Sequence, residues 1–177
     1  MSLPSKAALA TIFLLVSFIG CKQDNQLKPG EGFIPVTGGK IWYSVTGESD
    51  ATPILLLHGG PGSTSYYLNP LLPLSKERTV IMFDQLGCGR SDRITDTTLM
   101  TIDSHIEQIK KLLNFLNIKE FYLYGHSWGT MLGVDFYLKN PKGVNGIILA
   151  SPCLTPERWI ADTDSLIASL PDSIQLI

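Results

Sequence analysis

The chain has 177 residues, 44% of them hydrophobic, and a formal net charge of −2, enough apolar material for one domain with its own core. No run of Lys or Arg provides an electrostatic footprint for nucleic acid or, in the folded part, for a charged membrane surface. Internal repeats and low-complexity tracts are missing too, which excludes a solenoid or a largely disordered chain.

Lys6 precedes an apolar run from Ala7 to Ile19 that stops at Gly20 and Cys21 and gives way to Lys22, Gln23, Asp24 and Asn25. The run is shorter than the about 20 apolar residues of a spanning helix. Its basic start and abrupt end predict an export signal over 1–21. Phe18, Ile19, Gly20 and Cys21 are similar to the lipobox of bacterial lipoproteins, except that Phe18 stands where leucine is usual. That likeness implies cleavage before Cys21 and lipid attachment to it; an ordinary signal peptide or an uncleaved anchor is the alternative. Several acyl chains on Cys21 would hold the protein to a membrane of the bacterial cell envelope, because one chain binds only marginally. Residues 22–32, with Lys28, Pro29 and Gly30, read as a polar tether.

The folded core is expected over 33–152. Phe33 to Val36 and Lys40 to Thr46 flank Gly38 and Gly39, the turn chemistry of an antiparallel hairpin. From Ile54 to Leu57 the pattern becomes a continuous apolar run, as in a strand covered on both faces. Tyr66 to Lys76 predicts an irregular helix interrupted by Pro70 and Pro73, and Thr79 to Phe83 a second buried strand. Ile102, Ile106, Ile109, Leu112, Leu113 and Leu116 recur at helical spacing, with Thr101 or Asp103 to cap them. Phe121 to Tyr124 predicts a strand, Ser127 to Lys139 a helix, and Val144 to Ala150 another strand. Strands alternating with helices predict an α/β fold with a mostly parallel sheet. Cys88 and Cys153 then follow strands about three spacings of about 4.8 Å apart, beyond the about 7 Å Cα limit of a disulfide, and are expected to be free thiols.

Three loops fall at the carboxyl ends of those strands, where doubly wound sheets bind ligands. They are His58-Gly59-Gly60-Pro61-Gly62, the stretch from Asp84 to Asp92, and Gly125-His126-Ser127-Trp128-Gly129. The last is G-x-S-x-G between a strand and a helix, the setting of a nucleophile elbow, so Ser127 is the candidate nucleophile. Neither of the other two has a phosphate-loop or dinucleotide fingerprint, and no cofactor or metal is expected. An acyl-transfer site needs a nucleophile and oxyanion donors about 3 Å from one atom, which three converging loops can supply.

HGGPG at 58–62, DQxGxGxSD at 84–92 and GxSWG at 125–129, in this order, resemble the proline iminopeptidase-like serine hydrolases of the α/β-hydrolase fold. The resemblance implies hydrolysis of an N-terminal residue, typically proline, from a peptide, with esterase and amidase relatives acting on small esters or amides. It further implies that the backbone N–H groups of Gly60 and Trp128 form the oxyanion hole, that His58 holds the oxyanion loop, and that 153–177, with Trp159, Leu170 and Pro171, begins a helical cap. Asp84 and Arg90 read as loop braces, and Trp128 as a packing residue or a pocket wall.

A serine is a weak nucleophile until a histidine takes its proton, and in this fold the order is Ser, acid, His. No histidine follows Ser127: His58, His105 and His126 all precede it. His126 should project away from the hydroxyl, and His105 should have a surface or helix-face role. Asp135, Glu157, Asp162, Asp164 and Asp172 follow Ser127, yet none stands after a predicted strand end. The expectation is therefore the amino-terminal part of a longer enzyme, with its sheet truncated before the last strands and the triad acid and histidine absent from the chain. The other reading is a complete short protein, either a non-catalytic membrane-tethered remnant or one dependent on a partner chain, against which stands the open apolar edge left by the strand at Val144.

Overall fold

The structure, a computed structural model, describes residues 27–153 and 155–175. The predicted export signal, Cys21 and the tether as far as residue 26 lie outside the described residues.

Gly30–Val36 (β1) and Gly39–Thr46 (β2) pair antiparallel, with Val36 opposite Gly39. The two-residue turn is Thr37-Gly38, and Gly38 takes φ +92°, a conformation open to glycine because it lacks a Cβ. β1 starts at Gly30, inside the stretch read as tether. Ile54–Leu57 (β3), Val80–Phe83 (β4), Phe121–His126 (β5) and Val144–Ala150 (β6) complete a six-stranded sheet in the order β1-β2-β4-β3-β5-β6. β2 joins β4 antiparallel, and β4, β3, β5 and β6 run parallel. The result is the expected mixed sheet with an antiparallel amino-terminal hairpin.

The side-chain period of two assigns each strand residue to one of two cores. Leu55 and Leu57, Ile81 and Phe83, and Phe121 and Leu123 join the larger core. Ile102–Phe115 (α1) and Trp128–Lys139 (α2) close over it through Ile106, Ile109, Leu112, Leu113, Leu132 and Phe136. Ile54, Leu56, Val80 and Met82 face the other way, against Leu68 and the partly buried Leu71, Leu72 and Leu74 of a 3₁₀ segment at Ser65–Lys76. Both faces of β3 and β4 are thus covered, which is why their sequences are unbroken apolar runs.

Thr101 caps α1 by accepting from the Ser104 N–H. Of the two roles expected for His105, surface or helix face, the structure gives the helix face. It lies on the buried side of α1, 7% exposed, with its ring edge-on to Trp128 at 6.2 Å between centroids. Its spacing from Ile102, Ile106 and Ile109 places it on the apolar stripe. Cys88 and Cys153 are free, as expected. Pro156–Ala168 (α3) and Asp172–Gln175 (α4) follow β6 and bury no side chain among the described residues.

Candidate active site

β5 lies inside the sheet between β3 and β6, and Ser127 follows its last residue. The Ser127 backbone takes φ 52° and ψ −122°, a conformation costing a non-glycine residue about 1–3 kcal/mol. Neighbouring bonds over-determine it. Ser127 N–H donates to Ala150 O on β6 at 3.1 Å, while Ser127 O accepts from Thr130 N at 2.8 Å and from Thr130 Oγ1 at 2.6 Å. A Cβ on Gly125 would sit 2.4 Å from Gly129 O, and one on Gly129 would sit 2.3 Å from Leu57 O. Only glycine allows strand, turn and helix to approach this closely, and the approach presents the half-buried Ser127 at the carboxyl end of the sheet.

The loop after β3 lies directly against the elbow: a Cβ on Gly59 would be 3.1 Å from the Ser127 Cβ. His58 is fully buried, and its two ring nitrogens have different partners. Nε2 accepts from Gln85 N–H at 3.0 Å, so the ring proton resides on Nδ1 and is donated to Gly59 O at 2.8 Å. Gly59 C=O and Gly60 N–H belong to one trans peptide and point in opposite directions. By holding the carbonyl, His58 therefore also sets the direction of the Gly60 N–H. Gln85 closes the network, donating from Nε2 to His58 O at 3.2 Å and accepting from Trp128 Nε1 at 3.1 Å. Trp128 opens α2, so its backbone N–H has no partner within the helix. Among the described hydrogen bonds neither the Gly60 N–H nor the Trp128 N–H has an acceptor.

The loop after β4 is a brace. Asp84 Oδ1 accepts from the Ser65 N–H and hydroxyl, both at 2.7 Å, and Oδ2 accepts from Arg90 N–H at 2.9 Å and Arg90 Nε at 3.2 Å. Burial pushes the Asp84 pKa up, but the four hydrogen bonds outweigh it and hold the carboxyl below its ordinary value. Arg90 also lies over the Trp42 ring, 3.1 Å from its centroid. With both oxygens occupied, Asp84 anchors the loop and is not available to orient a catalytic histidine. Among the described residues no cluster of three or more His, Cys, Asp or Glu is placed to hold a metal ion.

Residues 52–177 match the family described as the alpha/beta hydrolase fold. The chain belongs to that family. It is 44% identical over 146 residues to the proline iminopeptidase of Heyndrickxia coagulans, covering 82% of this chain and 51% of that protein. Among solved structures, VinJ superposes with a TM-score of 0.79 at 34% identity, over 84% of this chain and 52% of VinJ. The proline iminopeptidase of Mycobacterium smegmatis gives 0.73 at 27% identity, over 80% of this chain and 50% of that one. This α/β hydrolase chain thus spans about half the length of the curated relatives it matches.

Within this hydrolase core the loop at Gly59 lies against Ser127, and Asp84 and Arg90 brace the loop after β4. The histidines do not converge on Ser127. His58 is committed through both nitrogens, His126 Nδ1 meets the Tyr67 hydroxyl at 2.9 Å, and the His105 ring lies in α1 beside Gln108, with 3.4 Å between Nδ1 and Gln108 Nε2. Several supports went unnoticed in the sequence: Ser65, Tyr67, Ser91 and Gln108. Ser91 Oγ donates to Asp84 O at 2.5 Å and accepts from Trp42 N–H at 2.9 Å, and Gln108 Oε1 accepts from Leu86 N–H at 2.9 Å. Ser91 stood within a recognised motif, whereas Ser65 and Tyr67 carried no pattern signal at all.

Gly129→Ala should destabilise the protein by upwards of about 2 kcal/mol, read as a lower denaturant midpoint, since the clash is with backbone that cannot swing aside. Burial lowers the pKa of His58, against the Gly59 bond and the Asp84 charge that raise it, and burial likewise lowers that of His105 against its bond to Gln108. Both are therefore neutral in the fold at pH values where the unfolded chain, titrating near about 6.5, already binds protons. Stability should be flat above that value and fall as the pH drops below it, by up to about 1.4 kcal/mol per pH unit for each histidine. Urea denaturation across a pH series measures this, and a midpoint that rises on acidification would contradict it.

Proposed function

We propose that this α/β hydrolase is a serine peptidase that releases an N-terminal residue such as proline from a peptide. The observation that carries the reading is the Ser127 backbone, held in a conformation serine resists, with the His58-anchored Gly59 loop packed against it. The kinship with proline iminopeptidases supports the substrate class.

In this reading Ser127 Oγ attacks the acyl carbon of the first residue, forming the C–O bond as the hydroxyl proton passes to a base. The carbonyl π electrons move onto oxygen, where Gly60 and Trp128 N–H groups receive the charge, each worth about 3 kcal/mol. Collapse of this tetrahedral species breaks the C–N bond, and the base returns its proton to the departing amine. Water then repeats the sequence on the acyl-enzyme, releasing the amino acid and restoring Ser127. The base must be a histidine that none of His58, His105 and His126 can be, because their rings are engaged elsewhere or packed in α1. The chemistry therefore requires a histidine from polypeptide outside these 177 residues, and in this reading the carboxylate that orients it comes from there as well.

The test is release of 4-nitroaniline from prolyl-4-nitroanilide by protein that includes the histidine-bearing polypeptide. Ser127→Ala should lower kcat by about 10⁴-fold or more with the fold retained. Hydrolysis of small esters with no activity on the prolyl anilide would move the assignment to an esterase. Ser127-dependent turnover by the 177-residue chain alone would overturn the requirement for an outside base.

Export and lipid attachment at Cys21 are part of the same proposal, supported by the apolar run from Ala7 to Ile19 and the lipobox-like residues before the cysteine. In a bacterial host, labelled palmitate should enter the protein, and Cys21→Ser should abolish the label and shift the protein out of the membrane fraction. Equal labelling of the Cys21→Ser protein would sink the lipoprotein assignment.

A further inference from the structure

We propose that Tyr67 is a positioning residue whose hydroxyl ties the loop at 58–62 to the nucleophile elbow and so fixes the Gly60 N–H relative to Ser127. Its catalytic meaning rests on the serine-hydrolase reading above, while the tie itself rests on geometry alone.

Tyr67 grows from a firm base. It lies in the 3₁₀ segment between Ser65, fully buried and bonded twice to Asp84, and Leu68, 3% exposed in the second core. From there the ring reaches His126 edge-on at 5.3 Å between centroids and 65° between planes. Its oxygen accepts from the buried Gly59 N–H at 2.6 Å and lies 2.9 Å from His126 Nδ1. The one phenol oxygen thus bonds to the loop backbone and to the His126 ring at once. The three groups form a continuous hydrogen-bonded chain from Gly59 through the Tyr67 hydroxyl to His126, in which each bond polarises the next. Burial raises the Tyr67 pKa, against the Gly59 bond that lowers it, so the phenol keeps its proton.

Gly59 is consequently held at both ends, its carbonyl by His58 Nδ1 and its N–H by Tyr67. His58 binds the loop to the sheet, whereas Tyr67 binds it to the residue immediately before the nucleophile. Without that second bond, nothing among the described polar contacts joins the loop backbone to His126. The fit leaves no spare room: a Cβ at Gly59 would lie 3.0 Å from the Tyr67 hydroxyl oxygen. Phenylalanine at 67 would preserve the ring contacts and remove both hydrogen bonds, leaving the buried Gly59 N–H without its acceptor.

Amide hydrogen exchange by NMR on the full chain, comparing wild type with Tyr67→Phe, tests the tie. Gly59 and Gly60 should exchange at least about tenfold faster in the variant, and the downfield Gly59 proton expected of so short a bond should move upfield, with Leu55 to Leu57 unchanged. A role limited to ring packing predicts no change at either glycine, and that result would overturn the proposal. His126→Ala provides the second variant, removing the far end of the chain while leaving Tyr67 intact; it should accelerate Gly59 to a smaller extent, and no effect would refute the coupling to the elbow. In protein that turns over prolyl anilide, Tyr67→Phe should lower kcat by about tenfold to a hundredfold with KM within twofold, as expected of a misplaced donor. A rise in KM alone would make Tyr67 a substrate contact and overturn the positioning role. If wild type shows no Ser127-dependent turnover, the hydrolase reading fails, while the exchange comparison still decides the tie.

Discussion

The backbone at Ser127 is the constraint to which the rest of this structure answers. A serine does not adopt φ 52° and ψ −122° by preference. It is held there at the sharp turn from β5 into α2 by hydrogen bonds to Ala150 and Thr130. The turn depends on close contacts that a single methyl group would forbid, at Gly125 against Gly129 and at Gly129 against Leu57. The sheet order matters equally, since Ser127 N–H is satisfied by Ala150 on β6 and Gly129 is pressed on β3. The strained residue is thus gripped by strands on both sides of its own, and the strain is sustained by tertiary packing.

Around that point the polar interior divides its work. Asp84 gathers Ser65 and Arg90, which fastens the start of the 3₁₀ segment and the turn after β4 to one carboxylate. His58 and Gln85 connect the loop after β3 to the indole of Trp128. A buried carboxylate and a buried imidazole are each costly unless their hydrogen-bonding capacity is met, and here both are fully engaged. Groups satisfied in this way are rigid, as the proposed hydrolase reading requires of donors that must be aligned before negative charge develops on a substrate oxygen. The same saturation removes His58 and Asp84 from consideration as acid or base.

Much of this was legible in the chain because its signals are local. Continuous apolar runs at Ile54 and Thr79 marked strands covered on both faces, and the helical spacing from Ile102 to Leu116 marked α1. Gly125, Ser127 and Gly129 announced the elbow because turn chemistry is decided within five residues. Whether His105 takes a surface or a buried helix-face role was open in the sequence, because only a neighbour from another element, here the Trp128 ring, decides whether a polar residue on an apolar stripe is covered. Ser65 and Tyr67 gave no sign, since their partners lie at Asp84, Gly59 and His126 and no spacing rule connects such positions.

By itself, the sequence determined the elements and the turn glycines and pointed to Ser127 as the candidate nucleophile, all through short-range sterics and hydrophobic period. It also determined that no histidine follows Ser127. The tertiary structure decided which polar groups meet: that His58 turns its Nδ1 proton to Gly59, that Asp84 is consumed as a brace, and that a tyrosine from the 3₁₀ segment bridges loop and elbow. Hydrogen bonds of this kind depend on ångström-scale placement of elements far apart in the chain, and that placement exists only once the sheet has assembled in its order.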